Sequence, residues 1–467
     1  MFDINESFYF SWPIPGDLRA AILSLKRGFF QDFSYILSGK AHEMIQKKDY
    51  QPAIVLLTEL KNESGRSEWS KDPTIAKLSK MFEWEKLNVQ IMAKLENDWP
   101  KKPPNMKDQF IIKLKHLIPL ITNDIPRLEI VENSIMMAIN FNDWNICILP
   151  EIKRSSAIDL CSTFATLMLE LDNKSKTPKK FNRDLWDMLV PVFNPIQPLI
   201  KIGRRNSSGG SRSDSPAVIQ AMGISVLKQF LDKLRDPLVI TIMLSLLAKV
   251  HNLLKDESND LNIENLHLWP TSISNANAYN IKMVSETLQQ LLKMGLRIYP
   301  NNIAWMKLQG DLEFVNGNNE TAMKYYVQSI IIATEYCSLP IQRPLIDEGL
   351  VRKMIKCSSN LGCFLQAAVL CQFLEEIDYS LAFKCLTEKS SNFQDAMDSY
   401  YGCIYDTTML EYIINLHCKK GEHKRKLLAI SFIRQLELNS NNNDEIKREA
   451  ASIRKIKFIR SLANQYM

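Results

Sequence analysis

Apolar residues recur at helical spacing from Phe33 through Ile36, Leu37, Ala41, Met44 and Ile45, and after the polar break Lys47-Lys48-Asp49 a second stripe runs through Ala53, Leu56, Leu57 and Leu60. Two amphipathic stripes joined by so short a break predict a helical hairpin. Pro52 falls in the first turn of the second helix, where its missing N–H breaks no intrahelical bond. A small Ala53 with leucines three and four residues on lets the two helices approach closely, as in tetratricopeptide-like pairs.

A second hairpin is predicted around Gly310. Trp305 and Leu308 precede Gly310, Phe314, Gly317, Ala322, Met323, Tyr326 and Ser329, and from Gly310 onward the spacing is that of a tetratricopeptide. The expected packing puts Gly310 at the helix crossing, Gly317 at the turn, and Ala322 opposite Gly310 on the return helix. Asp378-Tyr379-Ser380-Leu381-Ala382 echoes Asp49-Tyr50-Gln51-Pro52-Ala53, but no fixed period separates the copies. The pattern predicts an all-α fold, an irregular tetratricopeptide-like helical-repeat solenoid.

Further stripes run through Ile219, Gly223, Val226, Leu227, Phe230, Leu231 and Leu234, and through Ile281, Val284, Leu288, Leu291, Leu292 and Ile298. Asp236-Pro237 reads as an N-cap followed by the first helical residue. The run Leu238–Ala248 is apolar nearly all round, which predicts a buried helix; at eleven residues it falls short of the roughly 20 that span a bilayer. The stretch from Gly203 to Pro216 mixes Ser, Gly and Arg with no apolar anchor to offset its ordering entropy. The expected organisation is a helical-repeat block over 1–202, a flexible linker over 203–216, and a second block over 217–467 that ends in a basic amphipathic helix.

Composition narrows the chemistry. Glycine supplies 15 of 467 residues, against a usual share of about 7%, which leaves little for turn-dense sandwiches or glycine-rich phosphate loops. No Walker, dinucleotide-binding, nucleophile-elbow or zincin motif occurs. Of the 6 histidines, His251 follows an apolar helix and reads as interfacial or capped rather than catalytic, and the adjacent Glu375-Glu376 pair points to different sides of a helix. The 9 cysteines form no C-x-x-C pair and read as reduced, helix-packed hydrophobes. Cys403, His417, Cys418 and His423 match no standard zinc spacing. The expectation is no catalytic residue, no cofactor and no metal site. Asp3 and Glu6 near Met1 argue against a leader segment, which makes cytosol or nucleus the expected compartment.

Charge is uneven. Residues 419–467 carry twelve Lys or Arg against five acids, more than the whole chain's net charge of +6. Ile446, Ala450, Ile453, Ile456, Leu462 and Ala463 are spaced as one face of a terminal helix capped by Asn443 or Asp444, with Arg454, Lys455, Lys457 and Arg460 expected to point outward. Those four are the candidate contact for a partner, or for RNA or DNA; the alternative is a solvated face on a capping helix.

Several strings carry a resemblance. Arg235 to Leu246, Lys249-Val250-His251-Asn252, Leu268 to Ile273, Arg352 to Cys357, Val369 to Leu374, Glu376 to Tyr379 and Asp395 to Tyr401 closely resemble the C-terminal half of the Integrator complex subunit 8 family. The likeness is strongest over 217–467 and looser over 1–216. It implies a nuclear, non-enzymatic tetratricopeptide-like scaffold within Integrator. Its implied place is the phosphatase module, among other Integrator subunits, where it helps bring protein phosphatase 2A to paused RNA polymerase II. Promoter-proximal termination and small nuclear RNA 3′-end processing follow, with no membrane contact. Family members are longer, so the chain looks like an isolated C-terminal half or a shortened gene product. The family's Trp-Phe-Glu-Phe phosphatase-recruiting motif has no counterpart here, Met81-Phe82-Glu83-Trp84 being a different order of similar residues.

Overall fold

A computed structural model of the chain describes residues 12–66, 72–96, parts of 113–169, 227–255, 261–273, 276–341, 346–389 and 392–467 apart from 396 and 441–443. The described residues are helices and their connections, with no β-strand among them. They fall into two compact units, residues 1–240 with 277–279, and 241–276 with 280–467. The expected linker over 203–216 lies outside the described residues.

The first unit contains α1 (Gly16–Leu23), α2 (Phe29–Gln46), α3 (Tyr50–Ser64), α4 (Pro73–Glu96), α5 (Leu128–Asn140) and α6 (Trp144–Cys147). Helices α2 and α3 are the hairpin expected at Phe33 to Leu60, and Pro52 sits in the first turn of α3. The Met81-Phe82-Glu83-Trp84 stretch lies inside α4 with Met81, Phe82 and Trp84 buried and Glu83 paired to Lys61 at 2.5 Å, so it is core.

Helix α7 (Pro237–Lys255) starts where expected: Asp236 Oδ1 accepts from the Leu238 and Val239 amides at 3.0 and 3.1 Å. Its 19 residues correct the reading of the eleven-residue run, because by length and apolarity the whole helix is sufficient to cross a membrane. Two-thirds of that span is buried within the fold. Two indole N–H groups satisfy its hydroxyls, Trp305 donating to Thr241 at 3.1 Å and Trp269 to Ser245 at 2.7 Å. These are the bonds of a core helix.

The second unit continues with α8 (Ile281–Ile298), α9 (Ile303–Val315), α10 (Asn319–Ala333), α11 (Glu348–Asn360), α12 (Phe364–Cys371), α13 (Tyr379–Thr387), α14 (Met397–Tyr400), α15 (Thr407–Lys420), α16 (His423–Ser440) and α17 (Asp444–Tyr466). The α8 stripe Val284, Leu288, Leu291 and Leu292 is fully buried.

One joint recurs in both units. At Lys48, Asn142, Gly317, Gly362 and Gly421 the chain turns left-handed, with φ of 62, 57, 81, 73 and 71°. In each case the next residue's N–H reaches the carbonyl five positions back, at Met44, Ala138, Glu313, Ser358 and His417, over 2.8 to 2.9 Å. This is the Schellman closure, which satisfies two carbonyls that a helix end would otherwise leave unpaired. The fourth residue of the incoming helix is Ala53, Cys147, Ala322 or Ala367 in four of these, each fully buried where the helices close on one another. At the fifth it is Lys426.

The Gly310 hairpin forms as α9 and α10, with Gly317 at the turn. The residue opposite Gly310 is Tyr326 rather than Ala322. A Cβ on Gly310 would stand 2.5 Å from Tyr326 Cε1, and the ring is drawn across the glycine because its hydroxyl donates to Asp311 Oδ1 at 2.8 Å. Ala322, one helical turn nearer the joint, is fully buried.

Candidate functional site

The basic terminal helix α17 packs by Phe458, Ile459, Leu462 and Tyr466, with the Phe458 ring 5.9 Å from Phe373 and 5.4 Å from Tyr400. Ile453, expected on that face, is 62% exposed, since five residues of helix carry it well over a right angle from Phe458. Asn443 lies outside the described residues; Asp444 opens the helix.

Polar side chains fix the far end of α17. Asp395 accepts from the Leu365 and Gln366 amides at 2.9 and 3.2 Å, capping α12 from thirty residues downstream. Tyr466 donates its hydroxyl to Gln366 Oε1 at 3.0 Å, Gln366 Nε2 donates to Gln465 Oε1 at 2.9 Å, and Tyr400 donates to the same oxygen at 3.0 Å. Burial pushes the Tyr400 and Tyr466 phenols well up, so both stay neutral donors.

The four expected cations divide. Arg454 is half-buried and donates to the Ile404 carbonyl at 2.5 Å, and burial lowers its pKa. Lys455 is half-buried with its ammonium 5.4 Å from the Phe373 ring and 5.3 Å from Tyr405, a paired cation–π contact. Lys457 is exposed beside Gly402. Arg460, also exposed, reaches the Cys337 carbonyl at 3.3 Å. Arg454 and Lys455 therefore hold the helix to the chain itself.

Exposed positive charge gathers instead at the α15–α16 joint, in Lys419, Lys420 and Lys424, with Lys420 close enough to Glu422 to act on its charge. Behind this joint lies a cavity of about 360 Å³ with an apolar wall of Phe364, Leu365, Leu386, Ile413 and Leu416. On its polar side Tyr401 Oη lies 2.7 Å from His417 Nε2, and His417 Nδ1 lies 2.6 Å from Glu422 Oε2. Arg425 Nε meets Asp398 at 3.1 Å and its Nη1 meets Glu422 at 3.6 Å. Desolvation pulls Glu422 upward, but the His417 hydrogen bond and Arg425 together hold its pKa below the ordinary value. Burial pushes Tyr401 up to about 12.

A Tyr–His–Glu chain resembles a proton relay, yet the thiol on this cavity wall, Cys385, is itself raised by burial and poorly suited to nucleophilic attack. Cysteines 357 and 371 are pushed up to about 12 by burial, and all 9 are free, Cys418 alone being exposed. His417 spends both ring nitrogens on Tyr401 and Glu422, leaving none for the Cys403, Cys418 and His423 set. His251 is buried in α7, while Glu375 and Glu376 are exposed.

This assembly of helical hairpins has counterparts. A family model described as INTS8, TPR repeats matches residues 4–466. The chain is similar to Integrator complex subunit 8 of Mus musculus, 31% identical over 463 residues, and to that of Homo sapiens, also 31% identical over 463 residues. To Integrator complex subunit 8 of Xenopus laevis it is 32% identical over 471 residues. Each comparison covers 97% of this chain and 45% of the relative, so the chain spans about half the length of the relatives it matches. The likeness thus extends over the N-terminal part, where the quoted strings were looser.

Proposed function

Because the chain belongs to the Integrator complex subunit 8 family, we propose that it is a non-enzymatic scaffold within the Integrator complex, in the nucleus. The observation that carries this reading is the match to the family's repeats over residues 4–466. The fold supports it physically. Recurrent helical hairpins present broad surfaces to other chains, and in the second unit the buried Asp395 and Gln372 are spent on the α12 cap and on the Cys403 carbonyl.

In the finer reading the chain works in the phosphatase module and supports recruitment of protein phosphatase 2A to paused polymerase, promoter-proximal termination and small nuclear RNA 3′-end processing. Affinity purification from nuclear extract, with mass spectrometry scoring Integrator subunits and the phosphatase catalytic subunit separately, tests both levels. Recovery of both supports the module assignment. Integrator without phosphatase limits the chain to assembly, and neither overturns the scaffold role.

A further inference from the structure

The cavity behind the α15–α16 joint is unlike the rest of the hairpin packing. Where four joints bury a small residue at the fourth position of the incoming helix, this one has Lys426, whose ammonium folds back to 3.6 Å from Cys418 Sγ. Beside this joint, a space of about 360 Å³ is walled by Leu386, Ile413 and Leu416, large enough for a leucine or phenylalanine side chain. Of the acids on its lining, Glu422 is committed to His417 and lies in the field of Arg425 and Lys420, and Asp395 is committed to the α12 amides, which leaves Glu388 alone against the exposed Lys389 and Lys420. Lys419 and Lys424 extend the charge along the surface, and Phe393, 95% exposed, stands two residues from Asp395 on the cavity's own loop.

We propose that this cavity is a docking site for an acidic peptide segment of another protein, which inserts one apolar side chain between α12, α13 and α15 and lays its carboxylates on Lys389, Lys420 and Lys424. Charge complementarity selects the acidic flanks, and the apolar wall selects the anchor. Nucleic acid would use the lysines but not the wall. This site goes beyond the scaffold reading and stands without it.

The test is selection from a displayed library of short peptides with Glu and Asp flanks and randomised centres, against the full chain, beside a library with Lys and Arg flanks. The acidic library is expected to enrich Phe, Leu, Ile or Trp at the centre. A labelled winner should lose about tenfold in affinity when its apolar centre becomes Ala, and about tenfold in the variant Lys389→Glu with Lys420→Glu. Both lysines are exposed, so the fold survives, and Leu416→Trp should block the anchor from inside. Failure of the acidic library to enrich overturns the proposal, as does affinity indifferent to the lysines. Binding of a single-stranded uridine-rich RNA that is lost with the lysines but unchanged by Leu416→Trp would assign the charge to nucleic acid and equally overturn it.

Discussion

Helices α9–α10 and α15–α16 close by the same joint, and what surrounds that joint differs. In both, a left-handed glycine precedes a residue whose N–H reaches five positions back at 2.9 Å. In both, the side chains of those two positions also meet, Asn318 Nδ2 donating to Glu313 Oε2 at 2.8 Å and His417 Nδ1 lying 2.6 Å from Glu422 Oε2. Beyond the turn they part. The α9–α10 pair fills its crossing with Tyr326 and locks the ring through Asp311, whose other partners are Lys353 at 2.8 Å and the Asn262 amide at 3.2 Å. The α15–α16 pair carries Lys426 in place of a buried alanine and borders a cavity. Local turn chemistry sets the connection; the packing beside it is set separately, by the Tyr326 ring at one hairpin and by an open space bordered by Leu416 and His417 at the other.

The largest expected effect comes from removing the lock. Asp311→Ala removes the carboxylate that Lys353 and the Tyr326 hydroxyl meet, in a site where Asp311 is 5% and Lys353 18% exposed, and should cost about 3 kcal/mol. Hydrogen exchange over residues 303–333 would read it, and protection within about 0.5 kcal/mol of wild type would remove the lock from the account. Next is a pair of tryptophans. Ala322→Trp overpacks a fully buried position and should cost about 2 kcal/mol, whereas Leu416→Trp grows into the cavity and should cost less than about 1 kcal/mol. Equal melting shifts for the two would mean that the spaces do not differ.

Much of this was legible in the residues. Apolar spacing located the α2–α3 and α9–α10 hairpins, and Asp236 caps α7 as its position suggests, accepting from Leu238 at 3.0 Å. Periodicity fixes which face of a helix is buried but not which residue on it meets a given neighbour. Tyr326 therefore displaced Ala322 as the partner of Gly310, the hydroxyl bond to Asp311 deciding between them. The left-handed turns at Lys48 and Asn142 carried no glycine to announce them. The outward reading of Arg454 and Lys455 met carbonyls and rings brought from far along the chain, Ile404 and Phe373, which no spacing within α17 reports. The exchange of Ala for Lys426 was readable, once the other joints had been aligned.

A smaller effect tests whether the joints are one device. A Cβ at Gly317 or Gly421 meets nothing within 4 Å, so Gly317→Ala and Gly421→Ala differ from wild type only by left-handed strain. Each should cost about 1 kcal/mol, and the two should agree within about 0.5 kcal/mol despite their different surroundings. A larger gap in denaturant midpoints would show that the neighbourhood reaches the turn itself.

The smallest effect is one of sign. Burial raises Asp311 above its ordinary 3.8, with Lys353 opposing, so its protonated form is the one folding favours. That contribution is present below the unfolded pKa and fades as pH rises through the raised folded value. Glu422 runs the other way: held below its ordinary 4.5 by His417 and Arg425 against desolvation, it stabilises above that value and loses the contribution as pH falls through its lowered pKa. Between about pH 3 and 7, exchange protection of α9–α10 in wild type should therefore fall with rising pH relative to Asp311→Asn, and protection of α15–α16 should rise relative to Glu422→Gln. Slopes of the same sign would mean that the two hairpins, alike in their turns, also share their electrostatics, and that the filled and open crossings differ in volume alone.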